Sequence, residues 1–355
     1  MKFAMIRQFR MPGGALCRLT GILAFAALLG AALSPAQQPT NPAPNPPVPA
    51  QQPANSQPPA NAQQPAQNPS DQAQDTGPVF RIGANEVNLI FTVTDKHGKY
   101  VPNLKLPDFA LLDDQKAPSQ VTSFHQQINL PLRVGVLIDT SSSIRQRFQF
   151  EQQSAVEFLL QIMRPKSDRG FVMGFDVAPN VTADWTSDID RLETGINKLR
   201  PGGGTALFDA VYTGCRQKLL DVTRGPEAVR KAIVLISDGD DDQSRVHLDE
   251  AIKECQRAET IIYAISTNWT PSRGKGDQVL QQMSDATGGQ TFFPPSVEEM
   301  TTSFHEIQAE LRSQYALTYT PADFRANGAY RPIYLFCNDR RYQVRARKGY
   351  FAPTQ

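Results

Sequence analysis

Two short segments, Leu132–Ile138 and Lys231–Ser237, are almost wholly apolar and stop abruptly. They read as strands buried on both faces, the kind found in the middle of a parallel sheet. Around them the period changes. Ile144, Phe148, Ala155, Phe158, Leu159 and Ile162 mark one face of a long helix. Further helices are predicted around 189–199, 206–222, 247–258, 276–286 and 297–312. Shorter apolar runs at 171–175, 181–185, 261–266 and 291–293 read as strands, the first two close enough to pair as a hairpin. This alternation predicts an α/β fold with a doubly wound, mostly parallel sheet covered by helices on both faces, Rossmann-like in plan.

Strand patterns also flank this region. Segments 86–94, 108–113 and 120–124 precede it, with a turn at 95–98; 315–319, 330–336 and 342–346 follow it. Either group is too meagre to stand alone. The expectation is a small accessory β unit built from segments before and after the main sheet. The predicted organisation is a signal peptide over 1–36, a Pro/Gln-rich linker over 37–78, an N-terminal β segment over 79–130, the α/β domain over 131–312 and a C-terminal β segment over 313–355.

Composition narrows the classes. With 355 residues and 40% hydrophobic content, the chain can bury one ordinary core and a smaller second one. A net charge of +1 leaves no electrostatic footprint for nucleic acid. The four cysteines, at 17, 215, 255 and 337, form no CxxC pair, which argues against zinc and against a disulfide-dense scaffold. Cys215 and Cys255 fall on the helices before and after the second buried strand. A bridge between them in an exported protein is one reading, and free thiols the other, since orientation is not legible.

Lys2, Arg7, Arg10 and Arg18 lead into the apolar stretch Leu19–Leu33, followed by Ser34, Pro35 and Ala36. This is the layout of an export signal cleaved before Gln37. The alternative, an uncleaved anchor, would be the one contact with a membrane. Residues 37–77 are dominated by Pro, Gln, Ala and Asn and contain no aromatic, the composition of a spacer. The expected location is secreted, periplasmic or at the cell surface.

Candidate chemistry gathers where the two apolar strands end. The first runs into Asp139, with Ser141 and Ser143 on alternate residues after it; the second runs into Ser237–Asp238–Gly239. A glycine loop, Pro201–Asp209, contributes Thr205 where the next helix starts. In open α/β sheets ligands bind beyond the carboxyl ends of the strands. An all-oxygen set of Asp139, Ser141, Ser143, Thr205 and Asp238 suits a hard divalent cation: Mg2+, or Mn2+ or Ca2+. Singly, Thr205 could be a helix cap and either aspartate a turn residue; Asp240, Asp241 and Asp242 read first as a solvated acidic loop, with a second ion site as the weaker reading.

These five residues match in order the DxSxS…T…D pattern of a metal-ion-dependent adhesion site. Residues 131–312 resemble the von Willebrand factor type A domain, and the flanks resemble the bacterial VWFA-related Acidobacterial family, through Leu311–Tyr315 and Val344–Tyr350. The resemblance implies that Ser141, Ser143 and Thr205 contact the ion directly, that the aspartates contribute directly or through water, and that a protein ligand supplies an acidic residue to the metal.

No GxSxG, HExxH or GxxxxGK[ST] is present, and no general base is placed by sequence, so an enzyme is not expected. The expected function is divalent-cation-dependent protein binding or adhesion. The alternative is a structural or assembly component of the cell envelope whose metal site mainly stabilises the fold. A metal-dependent hydrolase is the weaker third reading.

Overall fold

A computed structural model of the chain describes residues 85–354 apart from 128–129, 143–144, 146, 224–228, 269 and 271. The expected signal peptide, the whole Pro/Gln linker, and Ile144 and Ser143 lie outside the described residues. Among the described residues no helix is long and apolar enough to cross a membrane.

The principal sheet has six strands: β4 (Leu132–Asp139), β5 (Arg169–Phe175), β6 (Pro179–Thr186), β7 (Arg230–Ser237), β8 (Ile261–Ser266) and β9 (Thr291–Phe292), in the order β6-β5-β4-β7-β8-β9. All pairs are parallel except the β5–β6 hairpin. The central strands are buried over nearly their whole length, as their apolar runs require. Successive side chains serve opposite faces. Val134, Val136, Ile138, Val234 and Ile236 pack with α1 (Phe148–Ile162), α2 (Ile189–Lys198) and α6 (Val297–Leu311). Leu137, Ile233 and Leu235 pack with α3 (Leu207–Thr213), α4 (Leu248–Arg257) and α5 (Lys275–Thr287). Gly135 has no side chain because the Phe171 ring occupies that space, its Cζ lying 2.3 Å from where a Cβ would be.

The sequence predicts one helix over about 206–222. Instead α3 ends at Thr213 and the chain continues as a π-helix over Gly214–Leu219 and a 3-10 turn over Leu220–Thr223. The wider turn carries Cys215 opposite α4, where it is bonded to Cys255; the two Cα atoms are 4.9 Å apart. Both half-cystines are fully buried.

Seven more strands form the accessory unit: β1 (Val87–Thr94), β2 (Phe109–Asp113), β3 (Gln120–Gln127), β10 (Gln314–Thr320), β11 (Tyr330–Cys337), β12 (Gln343–Ala346) and β13 (Gly349–Phe351). They make two sheets, β12-β1-β10-β3 and β13-β11-β2, so strands from before and after the α/β region interleave. Between them lies a separate core of Leu89, Phe91, Tyr315, Leu317, Ile333 and Leu335. Strand β13 has no counterpart in the sequence reading: three residues are too few to show a period. The buried carboxylate of Glu310 on α6 ties this unit to the main sheet, accepting hydrogen bonds from Thr92 and Tyr263 at 3.0 Å each and pairing with Arg345.

The bridge spans 40 residues, a loop for which chain entropy gives roughly 4 kcal/mol, with measured effects typically 2–4. Replacing both Cys215 and Cys255 by Ser should therefore lower unfolding stability by about 2–4 kcal/mol in denaturant titrations. Alkylation without reductant should label Cys337 but neither Cys215 nor Cys255; native labelling at 215 would contradict the bond.

Candidate functional site

Asp139 closes β4 and has no exposed surface. Its Oδ1 accepts the Ser141 amide at 2.8 Å and its Oδ2 accepts the Ser237 hydroxyl at 2.8 Å. Burial nevertheless pushes the carboxyl up to about 6; the Ser141 and Ser237 hydrogen bonds oppose the shift, while the charge of Asp238 adds to it. A carboxylate has about four lone-pair sites, so the group can still accept a further donor or a cation. Ser141 is also buried, and its hydroxyl hydrogen-bonds to Asp139.

β7 lies beside β4 in parallel register, Ile138 opposite Ile236, so Ser237 stands level with Asp139 and Asp238 projects one residue beyond. The backbone after Asp238 is fixed by contact with α5. Gly239 has φ +83°, and a Cβ there would lie 2.2 Å from the Gly276 carbonyl oxygen. Its amide is held by the Ser237 hydroxyl at 3.0 Å. Only glycine fits at that position.

The glycine loop joins the same edge through backbone bonds: Gly202 N–H donates to Thr140 O at 2.7 Å and Ser142 N–H to Gly203 O at 3.3 Å. Thr205 follows, largely buried, its amide donating to Asp242 Oδ1 at 2.6 Å while its carbonyl accepts the amides of Asp242 and Gln243 at 3.0 Å. The acidic loop is thus more than a solvated stretch. Asp242 clamps Thr205, and Asp241 accepts the Phe208 amide at the start of α3 at 3.2 Å and the Ser244 hydroxyl. From the other side, Asp209 accepts the amides of Arg245 and Val246 at 3.0 Å each.

Of the five residues singled out by sequence, Asp139, Ser141 and Asp238 meet at one sheet edge, and the loop carrying Thr205 is hydrogen-bonded to that edge. Ser143 lies outside the described residues. Among the described residues no three His, Cys, Asp or Glu side chains form a group able to hold a metal ion, so a cation here would rely on hydroxyls as well as carboxylates. The donor set is all oxygen, and Asp139 is a buried carboxylate whose ionisation burial opposes, which fits a hard divalent ion.

Sequence reasoning passes over four participants. Ser237 reads as the end of a strand, and Asp242 as part of an acidic run. Gly276 carries no local signal of its close approach. Glu151 does carry one: it interrupts the apolar stripe of α1 between Phe148 and Ala155, yet is only 1% exposed. Burial pushes its carboxyl up to about 8 from an ordinary 4.5; Arg147 opposes this, and Asp139 and Asp238 add to it.

Residues 134–310 match the sequence model of the von Willebrand factor type A domain, and this segment of the chain belongs to that family. Many solved structures resemble the chain. A von Willebrand factor type A protein from Catenulispora acidiphila is 13% identical, with TM-score 0.44, 72% of this chain and 75% of that one being covered. Proximal thread matrix protein 1 from the mussel byssus, in a form with a zinc-occupied MIDAS motif, is 14% identical with TM-score 0.45, over 57% of this chain and 50% of that one. The PilB minor pilin from Streptococcus sanguinis is 13% identical with TM-score 0.41, over 53% of this chain. The chain spans 62% of the length of that pilin. No curated protein sequence matches the chain.

Glu151 supplies a pH test. A carboxyl whose folded value is raised contributes stability that is fully present below its unfolded value and lost as pH rises through the folded one. In EDTA, raising pH from 4.5 to 8 should thus destabilise the wild type relative to Glu151→Gln by about 1.4 kcal/mol per pH unit. Paired melting curves check this; a gap independent of pH would contradict it.

Proposed function

We propose that the chain is an exported interaction protein that binds a protein ligand through a divalent cation held by Asp139, Ser141, Ser143, Thr205 and Asp238. Type A domains are typically interaction modules, and the chain carries one. The observation that carries the reading is the meeting of Asp139, Ser141 and Asp238 beyond the carboxyl ends of adjacent parallel strands, the customary ligand edge of such sheets. Neutral hydroxyls in the set leave a bound Mg2+ only partly neutralised, and Mg2+ keeps exchangeable waters, so a partner's Asp or Glu can become a ligand. Asp139 and Asp238 would supply the charge, Ser141, Ser143 and Thr205 the neutral oxygens, and the Gly202–Gly204 backbone the close approach.

Export rests on the Lys2–Ala36 segment and is supported by the buried Cys215–Cys255 bond, since such bonds persist in oxidising compartments. Residues 37–78 would then tether the folded part. The metal preference, Mg2+ over Mn2+ or Ca2+, belongs to the same proposal.

A second reading is a structural component of the cell envelope whose cation mainly stabilises the fold. Two clamps at this edge, Asp242 on Thr205 and Ser237 on Asp139, favour it, because they make the site part of the architecture. One experiment separates the two. Envelope and secreted fractions are passed over the immobilised chain in Mg2+ or in EDTA, with Asp139→Ala alongside, and the melting temperature is followed in both buffers. Capture in Mg2+ alone, lost in Asp139→Ala, is the expected result. Capture that survives both EDTA and the substitution would sink the adhesion reading. A Mg2+-dependent rise in melting temperature without dependent capture would favour the structural one.

A further inference from the structure

Glu151 is buried in the first turn of α1, on the helix that follows the Asp139–Ser141 loop. Among the described residues neither of its carboxylate oxygens has a hydrogen-bond partner. A buried carboxylate without donors costs several kcal/mol and persists only where something else compensates. Helix geometry tilts its side chain toward the N-terminus of α1 and hence toward the ligand edge of the sheet. Its electrostatic neighbours agree with that direction: Arg147 just before its own helix, Asp139 at the end of β4 and Asp238 beyond β7. Yet Glu151, Asp139 and Asp238 do not approach one another closely enough to chelate one ion, for no such group of acids occurs among the described residues.

We infer that Glu151 is a positioning residue of the cation site: from behind Asp139 and Asp238, its two unpartnered oxygens accept hydrogen bonds from water carried by the cation. This rests on the proposed reading of Asp139 and Asp238 as cation-holding residues. Metal-bound water is a strong donor, and a carboxylate with two vacant acceptors is its natural partner. The arrangement gives Glu151 a reason to occupy a position that α1 would otherwise fill with an apolar side chain, between Phe148 and Ala155 on the core stripe.

Outer partners of metal ligands typically contribute 10–100-fold in affinity. The test titrates the full chain with magnesium chloride, and separately with manganese chloride, by calorimetry at one pH. Wild type, Asp139→Ala, Glu151→Gln and Glu151→Leu are compared, each with its melting temperature in EDTA. Both Glu151 variants should bind the ions about 10–100-fold more weakly. In EDTA they should melt no lower than wild type, and Glu151→Leu higher, because an apolar side chain replaces an unsatisfied acid. That pairing of weaker metal binding with an undiminished metal-free fold is one that a purely structural glutamate would not produce. If Asp139→Ala loses binding while both Glu151 variants match wild type, the role assigned to Glu151 is overturned and the cation site stands. Binding by Asp139→Ala equal to wild type would overturn the cation site itself, and this inference with it. A lower melting temperature in EDTA for both Glu151 variants would make the residue structural and also overturn the inference.

Discussion

The hydrogen bond from the Ser237 hydroxyl to Asp139 Oδ2 joins the ends of the two central strands, and the rest of the sheet edge is arranged around it. A carboxylate with no exposed surface needs donors, and the parallel register of β4 and β7 sets one level with it. The same hydroxyl accepts the Gly239 amide, which turns the chain so that Asp238 stays beside Asp139. Removing the hydroxyl would leave two buried groups short of a partner at once. Pairing energy in the middle of the sheet is thereby converted into the position of two acids at its rim.

Fixing those acids required neighbours that share no sequence motif with them. Gly239 and Gly276 approach so closely that α5 becomes a backstop for Asp238. Thr205 is held from the acidic loop, and that loop is held in turn by Asp209 from α3. These are reciprocal clamps between segments distant in the chain, Asp242 on Thr205 and Asp209 on Arg245 being separated by 37 and 36 positions. Without them the glycine loop would keep the conformational freedom that its three consecutive glycines allow.

The α/β plan was legible because its strands are short apolar runs and its helices have clear stripes, and both are local signals. The edge chemistry was legible in the same way: Asp139 and Asp238 end apolar runs, and no partner needed to be known to notice that. What sequence did not disclose is reciprocal. Asp242 looks like one acid among four until Thr205 is seen against it, and Gly276 looks like a helix start until Gly239 is seen beneath it. The π-helix at Gly214–Leu219 was also hidden, since its residues keep helical spacing and only the bond to Cys255 marks the site. Glu151 is the intermediate case. An acid on an apolar stripe is visible in sequence, but its unpartnered oxygens are visible only in three dimensions.

One electrostatic feature unifies the edge. Burial holds Asp139, Glu151 and Asp240 above their ordinary range, and the charge of Asp238 adds to the shift of each. Three acids therefore share one repulsive neighbour in a region where desolvation already opposes ionisation. Such a set can relax by binding protons or by admitting positive charge, and the two routes compete. Arg147 supplies part of that positive charge to Glu151. For Asp139 the leading contributions against the shift are hydrogen bonds from the Ser141 amide and from the Ser237 and Ser141 hydroxyls. Asp139, the residue at which the central strand delivers its carboxylate to the ligand edge, is thus a buried acid held by neutral donors.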